Sequence, residues 1–102
     1  MRLIVFFDLP VQKAEQRKSA TKFRKYLIDD GFYMMQFSVY SRLCATRENA
    51  DVHLSRLKKH LPPQGSVRAM IVTEKQYANI EILVGRRKKK DKKILDNQLS
   101  IF

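Results

Sequence analysis

Residues 1–10, MRLIVFFDLP, contain an apolar run at positions 3–7 that ends at the carboxylate of Asp8, with Pro10 two residues later. The run is short, rich in β-branched and aromatic residues and closed by a breaker, so it predicts a buried β-strand. Because both alternating sets of side chains in this strand are apolar, both of its faces must be covered. The rest of the chain, or a second copy of it, must therefore supply two covering layers.

Asp8 lies where side chains leave the end of the predicted strand, and two interpretations of it stay open. Aspartate is a preferred N-terminal capping residue, which fits a strand-end or helix-cap role. Carboxylates are also magnesium ligands, and the ion takes one or two of them while it keeps several waters. Two copies of Asp8 near the axis of a two-fold dimer could share one ion, which would activate water for phosphodiester hydrolysis.

Two segments have apolar faces at helical spacing. The first helix is predicted over residues 13–30, ends at Gly31 and has a core face that comprises Ala20, Phe23, Tyr26 and Leu27. The second helix begins after the N-cap candidate Thr46 and stops at the sequence PPQG of residues 62–65. Its core face comprises Ala50, Leu54, Leu57 and Leu61.

Strand-like segments separate and follow these helices. Residues 32–44 form either one bent strand or two short strands with a break near Gln36. Residues 66–73 form a further strand, residues 74–79 a turn or short helical segment, and residues 80–84 another short strand. If residues 32–44 supply two strands, the order is the βαββαβ plan of ferredoxin-like α+β folds. The helices then cover one sheet face, and a second copy of the chain is the simplest cover for the other.

The 102 residues predict one domain over residues 1–84, followed by a basic linker over residues 85–93. Residues 94–102 are apolar again and predict a carboxyl-terminal strand that docks on the dimer or on a partner. No segment is apolar for long enough to span a membrane, and no signal-peptide pattern is present. The single cysteine, Cys44, predicts a packed thiol in a reducing cytoplasm rather than a disulfide.

Charge is the second strong feature of the sequence. Twenty-one lysines and arginines oppose ten acidic residues, which gives a net charge of +11. Residues 86–93 contribute +6 of this and the rest of the chain +5, so the basic character is not confined to one segment. Such a balance favours a polyanion partner, chiefly nucleic acid, bound through phosphate contacts. The residues predicted to make these contacts are Arg17, Lys18, Lys22, Arg24 and Lys25 of the first helix, together with Arg42.

Other chemistry finds little support in the sequence. No Ser-His-Asp set, zinc site or phosphate-binding glycine loop is present. His53 and His60 are predicted to be surface or interface residues, and most of the aromatic residues fit core positions. Asp8 is therefore the acidic residue that stands at a candidate catalytic position.

Three separated blocks of the sequence resemble one family: MRLIVFFDLP at residues 1–10, KFRKYLIDDGFYMMQFSVYSR at residues 22–42 and GSVRAMIVTEKQY at residues 65–77. They are similar to the second core CRISPR-associated protein, the small partner of the CRISPR integrase in spacer acquisition. The resemblance covers nearly the whole chain, and the variant looks like that of type II systems.

The resemblance implies a ferredoxin-like homodimer whose carboxyl-terminal strands reach the other protomer. This dimer would bridge two dimers of the CRISPR integrase subunit around double-stranded DNA. The resemblance also implies a Mg²⁺-dependent endonuclease, with Mn²⁺ as the alternative ion, that acts on single-stranded RNA or double-stranded DNA. The metal-binding acid of the family, at the end of the first strand, corresponds to Asp8, and no other catalytic residue carries over.

The sequence contains many basic residues but few acidic residues that are placed for catalysis. It therefore favours an architectural role over an enzymatic one. In that role the chain is a DNA-binding scaffold in a prokaryotic cytoplasm, which captures and integrates new spacers for antiviral defence. The alternative is the metal-dependent endonuclease that acts through Asp8. A weaker alternative is an RNA-binding or toxin-like protein of the same fold, because a fold alone does not fix function.

Overall fold

The computed structural model describes residues 1–85 of the chain. Their elements are β1 (Arg2–Asp8), α1 (Ala14–Asp29), β2 (Tyr33–Gln36), β3 (Val39–Leu43), α2 (Arg47–Lys58), β4 (Ser66–Val72) and α3 (Glu74–Ala78). The strands form one antiparallel sheet in the order β2-β3-β1-β4. This is the predicted ferredoxin-like α+β arrangement, and residues 32–44 supply two strands rather than one.

A tight turn separates β2 from β3. Gln36 pairs with Val39 across the turn, and Ser38 between them has a φ of +65°. This is the left-handed conformation, which residues other than glycine rarely adopt. The chain therefore reverses direction at Ser38. The predicted break near Gln36 is confirmed.

β1 lies in the centre of the sheet, with β3 on one side and β4 on the other. Leu3 and Val5 are fully buried on the side where α1 and α2 pack. The core on this side comprises Leu3, Val5, Phe23, Leu27, Phe32, Tyr40, Cys44, Ala50 and Leu57. Cys44 is thus the packed thiol that the sequence predicted.

Within residues 1–85, the opposite sheet face is covered only in part, by α3. Ile4 and Tyr77 form the buried centre of this contact. At the amino end of β1, Arg2 is completely buried, donates from Nε to Glu74 Oε1 at 2.8 Å and lies 4.1 Å from the centroid of the Tyr77 ring. A helix of the same chain therefore supplies some of the cover that was expected from a second copy. The carboxyl end of β1 lies beyond this cover.

The prediction of a strand over residues 80–84 is wrong. These residues have no sheet partner within the described chain, and Leu83 and Val84 are 86% and 95% exposed. They follow α3, which packs on a sheet face through Tyr77. The predicted linker and carboxyl-terminal strand fall on residues from 86 onward, which lie outside the described residues. Among residues 1–85 no helix has both the length and the apolar character needed to cross a membrane.

The core face predicted for the second helix needs one correction. α2 ends at Lys58, so Leu61 lies beyond it and is 49% exposed. His53 takes a core position instead, together with Ala50 and Leu57. The N-cap prediction is confirmed, because Thr46 Oγ1 accepts a hydrogen bond from Asn49 N at 3.0 Å.

His53 is buried, which corrects its predicted surface placement. Its Nδ1 lies 2.7 Å from Asp30 Oδ2, and Arg56 Nη1 donates to Asp30 Oδ1 at 3.2 Å. Burial alone would raise the pKa of Asp30, but His53 and Arg56 outweigh it and hold that pKa below its ordinary value. The carboxylate therefore ties the end of α1 to α2. His60 is exposed, as predicted, and stacks on Tyr26.

Replacement of this carboxylate by Asp30→Asn is expected to lower the free energy of unfolding by about 1–3 kcal/mol at neutral pH, because the buried ring of His53 loses a charged partner. Since the folded-state pKa of Asp30 is depressed, the wild-type contribution is complete above the ordinary pKa of 3.8. It is lost as the pH falls through the lower folded value, so the variant should lose less stability on acidification. Urea denaturation across this pH range measures both effects.

Asp29→Asn is the matched control, because Asp29 is adjacent, exposed and paired with exposed Lys25 at 3.7 Å. Its effect should stay within about 0.5 kcal/mol. Equal losses in the two variants, or an unchanged acid dependence in Asp30→Asn, would contradict the role of Asp30.

Candidate metal and nucleic-acid sites

Asp8 is the last residue of β1 and is exposed to solvent. The alternation of side chains along the strand places it with Ile4 and Phe6, on the sheet face opposite α1 and α2, which we call the open face. Lys13 occupies the N-cap position of α1, so Asp8 is a strand-end residue and does not cap that helix. Its metal-ligand role remains a prediction.

Two turns flank Asp8. On the β4 side, Ser66 is its register partner, and the preceding Gly65 has a φ of +100°. A Cβ on Gly65 would lie 2.6 Å from the Asp8 carbonyl oxygen, so the turn needs glycine for both its conformation and its close approach. On the β3 side, Phe7 N donates to Ser38 O at 3.0 Å. One turn therefore packs against the backbone of Asp8, and the other holds the backbone of the preceding Phe7.

Two residues near Asp8 were not among the predicted site residues. Arg68 on β4 pairs with Phe6, so it shares the open face with Asp8, and it is exposed. Phe37, at the tip of the β2–β3 turn, is 88% exposed, although most aromatic residues fit core positions. The alternation within β4 could have placed Arg68 on this face. No local pattern in the sequence signals the exposure of Phe37.

The residues around Asp8 fit half of a magnesium site. Within residues 1–85, no group of three or more acidic, histidine or cysteine side chains is placed to hold an ion. Asp8 offers one carboxylate, and its register partner Ser66 adds a hydroxyl oxygen. Because Mg²⁺ keeps several waters and takes few protein ligands, a second Asp8 from another copy would complete an ordinary set.

The solvent-facing side of α1 carries five of the six predicted nucleic-acid-binding residues, and we call it the α1 surface. Lys18 and Lys22 are exposed, and neither forms an ion pair within the described part of the chain. Arg17 donates to two carbonyls of the preceding loop at 2.8 and 3.1 Å, and Arg24 donates to a threonine hydroxyl at 3.3 Å. Lys25 lies 3.7 Å from an aspartate and stays exposed. The helix thus presents a continuous basic stripe.

Arg42 lies apart from that stripe, on β3 at the carboxyl end of α1. Its Nε donates to Asp30 O at 2.7 Å and its Nη1 to Leu43 O at 2.8 Å. These contacts give Arg42 a structural role, because they satisfy a carbonyl that a helix end leaves without a partner. Its contact with nucleic acid remains a prediction.

The sheet separates the α1 surface from Asp8. α1 packs on one face of the sheet, and the carboxylate lies on the open face. A nucleic acid bound along α1 is therefore on the other side of the sheet from the candidate metal ligand. The chain has two candidate sites rather than one combined site.

Comparisons with known proteins give a consistent family. The sequence model described as CRISPR associated protein Cas2 matches residues 1–80. A protein of Flavobacterium psychrophilum is 48% identical over 85 residues, which cover 83% of this chain and 74% of that protein. One of Acidovorax ebreus is 45% identical over 102 residues and covers both chains completely. One of Treponema denticola is 51% identical over 88 residues, which cover 86% of this chain and 87% of that protein.

All three relatives carry the name CRISPR-associated endoribonuclease Cas2. The crystal structure of Streptococcus pyogenes Cas2 at pH 6.5 is similar to this chain with a TM-score of 0.60, over 82% of this chain and 100% of that chain. Its sequence is 22% identical, so this likeness supports the fold alone. The names of the relatives favour the endonuclease alternative over the scaffold role that the sequence favoured.

Proposed function

The chain belongs to the Cas2 family of CRISPR-associated proteins, and we propose that it acts as a metal-dependent endoribonuclease through Asp8. The observation that carries this proposal is an exposed carboxylate at the end of a buried central strand, on the open face that it shares with exposed Arg68. The name that the relatives share supports the same class of reaction.

The active form in this proposal is a homodimer that packs through its open faces. Apolar side chains remain accessible on that face, where Met70 is 49% and Leu43 is 48% exposed. A chain of this size has a modest core, so burial of this face would add stability. A two-fold axis through such an interface brings equivalent residues together, which allows the two Asp8 carboxylates to approach each other.

Each group near the strand end has a separate part in the reaction. A bound Mg²⁺, or Mn²⁺ in its place, would supply a water of lowered pKa and positive charge for the phosphate. Asp8 supplies the anionic oxygens that hold such an ion, and the Ser66 hydroxyl lies beside it in register. Arg68 supplies a permanent positive charge for the substrate, and its planar guanidinium can donate two hydrogen bonds to one phosphate.

Asp8→Asn removes the charge of the proposed ligand and keeps its size. Cleavage of single-stranded RNA in Mg²⁺ is expected to fall by at least about 100-fold, because loss of even the indirect partners of a metal site costs about 10–100-fold. RNA affinity measured without metal should stay close to that of wild type. A single-turnover cleavage assay and a binding titration on the same preparations measure the two quantities.

Asp51→Asn provides the control with the same change in net charge. Asp51 is exposed on α2, on the other side of the sheet, and pairs with exposed Arg47 at 3.4 Å. This variant should cleave at the wild-type rate. Cleavage that survives Asp8→Asn would assign the activity to another residue or to a contaminant.

A second candidate function is the DNA-binding scaffold that works with the CRISPR integrase in spacer acquisition. The observation that favours it is the α1 surface, a basic stripe on the side of the sheet away from Asp8. Phosphate contacts along such a stripe need neither a metal ion nor a carboxylate. The two functions therefore predict different effects for residues on the two sides of the sheet.

Lys22→Ala tests the scaffold function through the salt dependence of duplex DNA affinity. If Lys22 neutralises one phosphate, the slope of log affinity against log salt should become shallower by about 0.9. Asp8→Asn should leave that slope unchanged. The measurement is a titration of labelled duplex at several salt concentrations.

Lys75→Ala is the matched control, because Lys75 is an exposed lysine on α3, across the sheet from α1. It should leave the slope at the wild-type value. A slope that responds equally to both lysines, or to neither, would count against the α1 surface as the DNA contact.

A further inference from the structure

Two loops meet at the strand end that carries Asp8. The first loop, residues 9–13, leaves β1 directly after Asp8 and leads into α1. The second loop, residues 59–65, joins α2 to β4, whose first residue, Ser66, is the register partner of Asp8. The position of Asp8 therefore depends on how these two loops are held relative to each other.

The two loops pack tightly at Gly65, the last residue of the second loop. A Cβ on Gly65 would lie 2.6 Å from the carbonyl oxygen of Asp8 and 2.8 Å from Cδ2 of Leu9. The glycine thus rests on the peptide group that joins Asp8 to Leu9. A shift of the second loop must displace that peptide group, and Asp8 moves with it.

A cleft of about 260 Å³ separates the two loops away from this contact. Leu9 and Pro10 of the first loop and Pro62 and Pro63 of the second loop line it. Side chains that face an open cleft lack partner atoms on that side, so dispersion contacts do not fix the spacing between them. Packing alone therefore leaves the separation of the two loops undetermined here.

One side chain, Gln16 of α1, is bonded to both loops. Its Nε2 donates to Gln64 Oε1 at 3.0 Å, and Gln64 directly precedes Gly65. Its Oε1 accepts from Gln12 N and Lys13 N of the first loop at 3.1 and 3.0 Å. Because those backbone groups are donors, Oε1 must face the first loop and Nε2 must face Gln64. The carboxamide of Gln16 thus sets the distance between the loops.

We propose that Gln16 and Gln64 are positioning residues for the Asp8 carboxylate in metal-dependent cleavage. This inference rests on the proposed nuclease function and adds the residues that hold its metal ligand in place. The two amides act through Gly65 and the peptide after Asp8 rather than by contact with the ion. A site that needs two copies of Asp8 to converge on one ion is sensitive to such support, because metal and catalytic groups must be held to within about 0.5 Å.

Gln64→Met removes the hydrogen bond and keeps a side chain of similar length. In the full chain, cleavage of single-stranded RNA in Mg²⁺ should fall by about 10–100-fold, the usual loss when a group that orients a metal ligand is removed. Affinity for Mn²⁺, measured by electron paramagnetic resonance of the free ion, should fall by a similar factor. RNA affinity without metal should match wild type, because no phosphate contact is lost.

Gln64→Glu is the conservative variant that tests for rescue. A carboxylate at position 64 still accepts from Gln16 Nε2, so Mn²⁺ affinity and cleavage should stay close to wild type. Any general harm from a substitution in this exposed loop would affect both variants alike. The difference between Gln64→Met and Gln64→Glu therefore isolates the hydrogen bond.

Gln12→Met is the matched control, because it makes the same replacement in the first loop. Gln12 is exposed and joins the network through its backbone N, which the substitution keeps. Its Mn²⁺ affinity and its cleavage rate should equal those of wild type. Urea denaturation of every variant should show that all three remain folded under the assay conditions.

Three results would overturn the proposal: wild-type Mn²⁺ affinity in Gln64→Met, equal losses in Gln64→Met and Gln64→Glu, or an equal loss in Gln12→Met. Mn²⁺ binding that depends on Asp8 but not on Gln64 would leave the nuclease proposal intact. Cleavage that survives Asp8→Asn would overturn the nuclease proposal instead. The Mn²⁺ titration would then still report whether Gln64 positions the carboxylate.

Discussion

The structure depends on the need of one strand, β1, to be covered on both faces. Leu3 and Val5 meet that need on one side, where α1 and α2 close over the sheet. On the other side, Ile4 is covered by Tyr77 of α3, and the cover that residues 1–85 provide ends before Asp8. The incomplete cover has two consequences. It leaves an apolar face for a second copy of the chain, and it leaves a carboxylate in solvent at the end of a rigid strand.

Much of this fold could be predicted from the sequence, because hydrophobic periodicity reports local structure well. The apolar run of β1, the face of α1 and the cap at Thr46 are all local signals, and each agrees with the structure. The number of strands within residues 32–44 could not be predicted. The chain reverses there on a serine rather than a glycine, so composition carried no signal of the turn.

Other errors arose where distant residues decide the outcome. His53 is buried because Asp30, 23 positions earlier, meets its polar ring, and Arg56 donates to the second oxygen of the same carboxylate. The hydrophobic periodicity of α2 could not predict this burial, because Asp30 lies outside α2. Residues 80–84 have the composition of a strand, but they follow a helix that packs on the sheet face and pair with no strand of the described chain. In such cases the tertiary context, rather than the β-strand propensity of the residues, determines whether a strand forms.

Some residues of the candidate sites could likewise be predicted from the sequence, and others could not. Asp8 could be identified from the sequence, because an acidic residue at the end of an apolar run is a local sequence pattern. Arg68 comes to the same face only through strand register, which the sequence leaves open until the strands are paired. The α1 surface was visible as helical spacing of basic residues, yet the sequence did not show that the sheet separates it from Asp8. That separation is why the two proposed functions, nuclease and scaffold, can be tested by substitutions on opposite sides of the sheet.

The central claim is that two copies of Asp8 share one metal ion across a two-fold axis. Equilibrium titration with Mn²⁺, followed by electron paramagnetic resonance of the free ion, tests it directly. The account predicts one ion bound for every two wild-type chains and loss of that binding in Asp8→Asn. One ion for every chain, or binding that Asp8→Asn leaves intact, would contradict it.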